Sequence, residues 1–188
     1  MKTNLKIAVN APVVICFTAL MFFATLAGIL TGGYSTGLLF QTSHTSLLSP
    51  LTYLRLLTHV LGHRGWSHFM GNAAYILLLG PMLEEKYGSK ALIKVIVITA
   101  LVTGIVNYIL FPGVALCGAS GVVFAYIIMT SFTGFRAGEI PLTFLLIAAI
   151  FIGQQVIDGA ILRDNVSQLS HIVGGIVGAV IGYLWNKK

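Results

Sequence analysis

The chain is expected to fold as an all-α polytopic membrane protein, a single domain built as a bundle of six transmembrane helices. Three observations predict this. Hydrophobic residues make up 57% of the 188 positions and charged residues only 9%, with a mean hydropathy of +0.94. So few polar groups cannot cover a water-soluble globule. The apolar residues fall in successive runs separated by short polar or Gly/Pro-bearing segments, the spacing expected of helices that cross a hydrocarbon core about 30 Å thick. Finally, the basic residues alternate in abundance from one connecting segment to the next, as they do when connections alternate between membrane sides.

Taken in order, Lys2 and Lys6 precede a first span over 12–31. A basic start before an apolar stretch also describes a secretory leader, but this run is longer than a leader's apolar region, which favours a retained helix. Residues 32–65 form a long outer loop with apolar content of its own, expected to hold short helices at the interface. Further spans are expected over 66–83, 91–111, 118–133, 141–157 and 167–185, with Pro112-Gly113 stopping the third. An even number of spans puts both termini on one side. That side collects Lys2, Lys6, Lys86, Lys90, Lys94, Arg136, Lys187 and Lys188, against Arg55, Arg64 and Arg163 on the other. The positive-inside bias therefore places both termini in the cytoplasm of a cell membrane. The net charge of +6 is spread singly through the connections, which argues against nucleic acid as a partner and for the lipid bilayer.

This topology groups polar residues that lie far apart in the chain. Ser120, His171, and the pair His68 and Asn72 each lie near the start of a helix entering from the outer side, so at 1.5 Å rise per residue all fall within roughly 10 Å of that surface. Polar and ionisable groups inside a membrane are costly, and their convergence points to function. Ser120 is a candidate nucleophile with His171 as its general base. His68 and Asn72, spaced i,i+4, share a face and can donate hydrogen bonds to an oxyanion together with the backbone N–H of Ser120. No carboxylate accompanies His171 in its helix, so packing must orient the ring; Phe124, one turn from Ser120, is placed to stack on it. Gly174, Gly178 and Gly182 recur every fourth residue and form a groove for another helix, and Gly118 and Gly121 make the Ser120 helix the expected occupant.

Gly118-Ala119-Ser120-Gly121, His68-Phe69-Met70-Gly71-Asn72 and His171-Ile172-Val173-Gly174-Gly175-Ile176-Val177-Gly178, in that spatial logic, resemble the rhomboid family of intramembrane serine proteases in its compact bacterial form. Arg55, the run from Thr58 to His68, and Glu85-Lys86-Tyr87-Gly88-Ser89 extend the resemblance over about Arg55 to Gly182. The resemblance implies a six-helix bundle with a water-accessible cavity open to the outside, set in a bacterial inner membrane. It implies a Ser120–His171 dyad without an acid, an oxyanion site at His68, Asn72 and Ser120, and cleavage of other transmembrane proteins in or near their spanning segments, without a cofactor. Two departures stand out. Phe124 replaces the tyrosine common four residues after the serine, and Leu54 replaces a tryptophan common before the loop arginine. The first span is expected to begin near Pro12, which would leave no room for the soluble domain that many relatives carry ahead of it.

Other readings differ in what they require. A non-catalytic rhomboid-like factor that binds membrane proteins would lack the serine or the histidine, and both are present. A zinc membrane protease could draw on His59, His63 and His68, but there is no His-Glu-x-x-His and no adjacent carboxylate to act as base. The expectation is therefore no metal. On the rhomboid reading His59 and His63 are structural or line the cavity, His44 is a loop residue, and Glu85 is an inner-interface cap or ion-pair partner. Asp158 is a local polar contact or part of a substrate gate. Cys16 and Cys117 are expected to be free, buried thiols. Oligomeric state and substrate identity stay open.

Overall fold

The computed structural model describes residues 8–133, 139–150, 153 and 165–186, and the side chains of all of these except 165–168. Among the described residues the regular structure is α-helical, apart from one isolated antiparallel bridge between Thr42 and Leu116. The helices are α1 (Pro12–Leu30), α2 (Tyr34–Leu39), α3 (Pro50–Thr58), α4 (Trp66–Tyr87), α5 (Ser89–Leu110), α6 (Ser120–Ser131), α7 (142–150) and α8 (Asn165–Asn186). Of the expected fifth span, residues 151–152 and 154–157 lie outside the described residues. So do Asp158, Arg163, Arg136 and the terminal lysines Lys2, Lys6, Lys187 and Lys188.

α1, α5 and the Leu169–Asn186 part of α8 are each long and apolar enough to cross a membrane. In α1, Pro12 starts the helix without losing a needed N–H. Its buried residues Val14, Phe17, Met21, Thr25 and Gly28 follow helical spacing and face inward, while Leu20, Phe23 and Leu30 point outward. In water such an outer face would be unstable; in lipid it is the ordinary solvent-facing side. α4 is as long as α5 but more polar, because it carries His68, Asn72 and the Glu84-Glu85-Lys86 run. Its inward face reads Phe69, Asn72, Ala73, Ile76, Gly80 and Leu83. Gly80 is required there: a Cβ would lie 2.5 Å from a methyl of Val14 on α1.

At the start of α1 a buried carboxylate does the capping. Glu84, 4% exposed, accepts hydrogen bonds from the N–H groups of Val13 (3.0 Å) and Val14 (3.1 Å) and from the Ser89 hydroxyl (2.6 Å). These N–H groups have no partner within α1, and the positive end of the helix dipole favours the charge. Glu84 therefore fills the capping role expected of Glu85, which is exposed. The neighbour lies about 100° further around the helix and faces away.

α6 is the centre of the molecule. Eight of its 12 residues are buried, and it packs on α4, α5 and α8. A helix apolar all round is one surrounded by protein. At about 18 Å it is too short to cross the hydrocarbon core, and it begins two residues later and ends two earlier than the expected span. The backbone leading into it is non-helical, tolerable at such depth only where protein satisfies its polar groups. The Thr42–Leu116 bridge (both bonds 2.9 Å), Asn107 Nδ2 donating to the Val114 carbonyl (3.1 Å) and the Gly118 N–H donating to the His59 carbonyl (2.9 Å) do this. The long loop thus holds the entrance to α6. Within it α3 packs on α5, and Arg55 Nε donates to the Leu38 carbonyl at 2.8 Å.

Candidate active site

Ser120 is the first residue of α6 and is half-buried. The turn before it needs glycine at position 118, where φ is +129°, a region that side chains rarely adopt. A Cβ on Gly118 would also meet the His68 imidazole, 2.7 Å from Cε1 and 2.8 Å from Nε2, with Asn72 Nδ2 at 3.8 Å. The α4 side chains thus reach the backbone of the serine turn itself. Asn72 is 7% exposed, and among the described residues its Nδ2 has no hydrogen-bond partner.

α8 brings His171 to the same end of α6. The two helices meet at bare backbone: a Cβ on Gly174 would lie 2.2 Å from the Gly121 carbonyl oxygen, and one on Gly178 2.5 Å from that of Ala125. Further along, a Cβ on Gly182 would lie 2.8 Å from the Phe132 ring. The glycine stripe of α8 therefore lies along the serine-bearing helix. His171 is one turn before Gly174, and Ser120 directly precedes Gly121. Phe124, one turn after Ser120, lies parallel to the His171 ring, with centroids 4.4 Å apart and planes 5° apart. That stack fixes the plane of the imidazole from the serine's own helix.

Behind the turn stand two further histidines. His59, 1% exposed, donates from Nε2 to the Ala100 carbonyl on α5 (3.0 Å), while its own carbonyl accepts from Gly118. His63, 2% exposed, accepts at Nε2 from the Ala119 N–H (3.4 Å). A backbone N–H can only donate, so the ring proton of His63 belongs on Nδ1, facing the Leu61 carbonyl (3.1 Å) and the Thr25 hydroxyl (3.3 Å). Burial holds both imidazoles well below their ordinary range, at about 4, so both are neutral at physiological pH. For His63 the positive charge that His68 can carry adds to the effect. The His63 and His68 rings meet edge to face at 4.9 Å. His59 and His63 thus hold the two peptide N–H groups that flank the Gly118 Cα, a specific duty that their spacing alone does not reveal. Among the described residues no three His, Cys, Asp or Glu side chains converge as metal ligands.

His44 stacks on Tyr108 (4.6 Å) and donates to the Tyr108 carbonyl. Cys117 is buried beside the turn, where desolvation raises its thiol pKa and disfavours the thiolate. Cys16, expected to be buried, is exposed on the outer face of α1.

The fold defines a polytopic helical membrane protein organised around a short buried helix. The family model for the rhomboid domain matches residues 50–188. The chain is 28% identical over 137 residues to rhomboid protease GlpG of Haemophilus influenzae, covering 71% of this chain and 70% of that one. It is 25% identical over 143 residues to the putative rhomboid protease YdcA of Bacillus subtilis (71% and 68%). A match to rhomboid-related protein 1 of Caenorhabditis elegans spans 139 residues at 27% identity, covering 69% of this chain but 39% of the worm protein. The chain belongs to the rhomboid family.

Proposed function

We propose that this protein is an intramembrane serine endopeptidase that cleaves transmembrane-protein substrates in or near their membrane segments. Ser120 attacks the scissile carbonyl as His171 takes its proton. The resulting oxyanion is held by the Ser120 N–H, His68 and Asn72. Collapse of the tetrahedral species breaks the C–N bond, His171 returns the proton to the leaving amine, and an acyl ester remains on Ser120. Water, activated by the same histidine, then releases the acid. The observation that carries this reading is the close backbone contact of Gly121 with Gly174, with the Phe124–His171 stack one turn away. The unpartnered Asn72 donor supports the oxyanion assignment.

The reading includes a bacterial inner-membrane location with both termini cytoplasmic. Exposed Lys86, Lys90 and Lys94 cluster toward the end of the bundle opposite Ser120, in keeping with that orientation. Cleavage of a single-span reporter by purified protein in liposomes tests the proposal. Wild type should cut near the outer boundary of the span, and Ser120→Ala should abolish cutting while melting at the same temperature. Cleavage retained by Ser120→Ala, or lost only on chelation, overturns the proposal.

A further inference from the structure

Between α1 and α5 lies an apolar groove of about 370 Å³. Its walls are Pro12, Val13, Cys16 and Leu20 from α1 and Ile93 and Val97 from α5. From Pro12 to Leu20 it runs about 12 Å along the helix, the inner part of one leaflet's acyl region. The groove's apolar character gives no selectivity by itself, since lipid tails are as apolar as the residues that line it. Any preference has to come from what stands beside it.

Two cations, outside the groove's lining, stand beside its α5 wall. Lys90 and Lys94 are exposed and share a face of α5 with Ile93 and Val97 through i,i+3 and i,i+4 spacing. Among the described residues neither lysine has an ion-pair partner. The carboxylate nearest the start of α1, Glu84, is buried and committed to Val13, Val14 and Ser89. Two free ammonium groups on flexible stems, one helical turn apart on the α5 face that carries Ile93 and Val97, match an anionic headgroup whose acyl chain follows the groove.

We propose that the α1–α5 groove is a binding site for one anionic glycerophospholipid, with its phosphate held by Lys90 and Lys94 and one acyl chain against Cys16, Ile93 and Val97. The site lies far from Ser120 and does not depend on the proteolytic reading.

Native mass spectrometry of the purified full chain, with phosphatidylglycerol and phosphatidylcholine of identical acyl chains in equal amounts, tests this. Each surface lysine is worth about a factor of five toward an anionic headgroup, so wild type should retain one phosphatidylglycerol with a preference of about twenty-five-fold. Lys90→Gln/Lys94→Gln should bring the preference to within a few-fold of unity. Cys16→Trp, which fills the groove and leaves both lysines, should lose the retained lipid. Cys16 is the exposed cysteine and Cys117 the buried one, so alkylation offers a second reading in vesicles. Modification of Cys16 should be slower in phosphatidylglycerol than in phosphatidylcholine for wild type and equal in the two for the lysine variant. Equal retention of both lipids by wild type, an undiminished preference in the lysine variant, or a second copy of the chain seated at Cys16 in place of lipid would overturn the proposal.

Discussion

Replacing Gly174 by alanine adds one methyl group at the closest approach of α8 to α6. The new Cβ would lie 2.2 Å from the Gly121 carbonyl oxygen, 2.7 Å from its carbon and 2.8 Å from its Cα. All three are backbone atoms, so no rotamer change relieves the clash. Ordinary contact begins near 3.4 Å, and the helices must therefore part by about 1 Å at this level. Alanine gains up to about 1 kcal/mol in helix propensity, while overpacking costs about 1–3 kcal/mol, so the fold should survive with a modest loss. Catalysis should suffer more. His171 is one turn from the substitution, and a shift of about 1 Å between reacting groups costs on the order of a hundredfold. Gly175→Ala provides the control, since its Cβ would sit 3.7 Å from an Ile128 side-chain carbon, an ordinary contact. The assay is kcat/KM for reporter cleavage in liposomes beside a melting curve. Gly174→Ala should lose about two orders of magnitude with a Tm a few degrees lower, and Gly175→Ala should match wild type. Equal activity in the two variants would refute the claim that backbone contact sets the serine–histidine geometry.

Three other outcomes are expected. Gly118→Ala should abolish activity and lower Tm, because φ is +129° and the methyl would strike His68; Ala119→Gly, one residue on, should retain most activity. Glu84→Ala should cost about 3 kcal/mol or more by unpairing the N–H groups of Val13 and Val14 in α1 and the Ser89 hydroxyl, whereas Glu85→Ala on the exposed side should stay within about 0.5 kcal/mol, both read from thermal melts. Stability should fall as pH drops from 6.5 toward 4: His59 and His63 are held near 4 in the fold against 6.5 when unfolded, so the unfolded chain binds the extra protons in that window. The slope approaches about 1.4 kcal/mol per pH unit for each histidine, and His59→Gln, which retains a donor toward Ala100, should flatten it; a wild-type Tm unchanged between pH 7 and 4.5 would contradict the assignment.

Much of the architecture can be read from residue order because lipid imposes simple rules. Uninterrupted apolar runs mark α1, α5 and α8, and the fourfold glycine period of α8 marks the face that meets α6. The i,i+4 relation between Ser120 and Phe124 likewise makes the stack on His171 foreseeable, since both residues ride one face of a helix. What remained hidden depends on tertiary contacts with no local period. Glu84 and Glu85 are chemically identical neighbours, and only the position of α1 decides which is the cap. The role of the long loop was equally illegible: His59 and His63 support α6 through a backbone carbonyl and a ring nitrogen, interactions that no composition or spacing signals. The short length of α6 follows from its enclosure by α4, α5 and α8, a property of the neighbours rather than of its own residues. Cys16 was misplaced because lipid and protein core select the same small apolar side chains.

The central claim is that the Ser120 hydroxyl is activated by His171. Incubating the purified protein with a fluorophosphonate and mapping the modified residue by mass spectrometry tests it most directly. One adduct is expected, on Ser120, formed at a rate that collapses in His171→Ala and stays near wild type in Lys90→Gln/Lys94→Gln. An adduct on another residue, or equal labelling of Ser120 with and without His171, would contradict it.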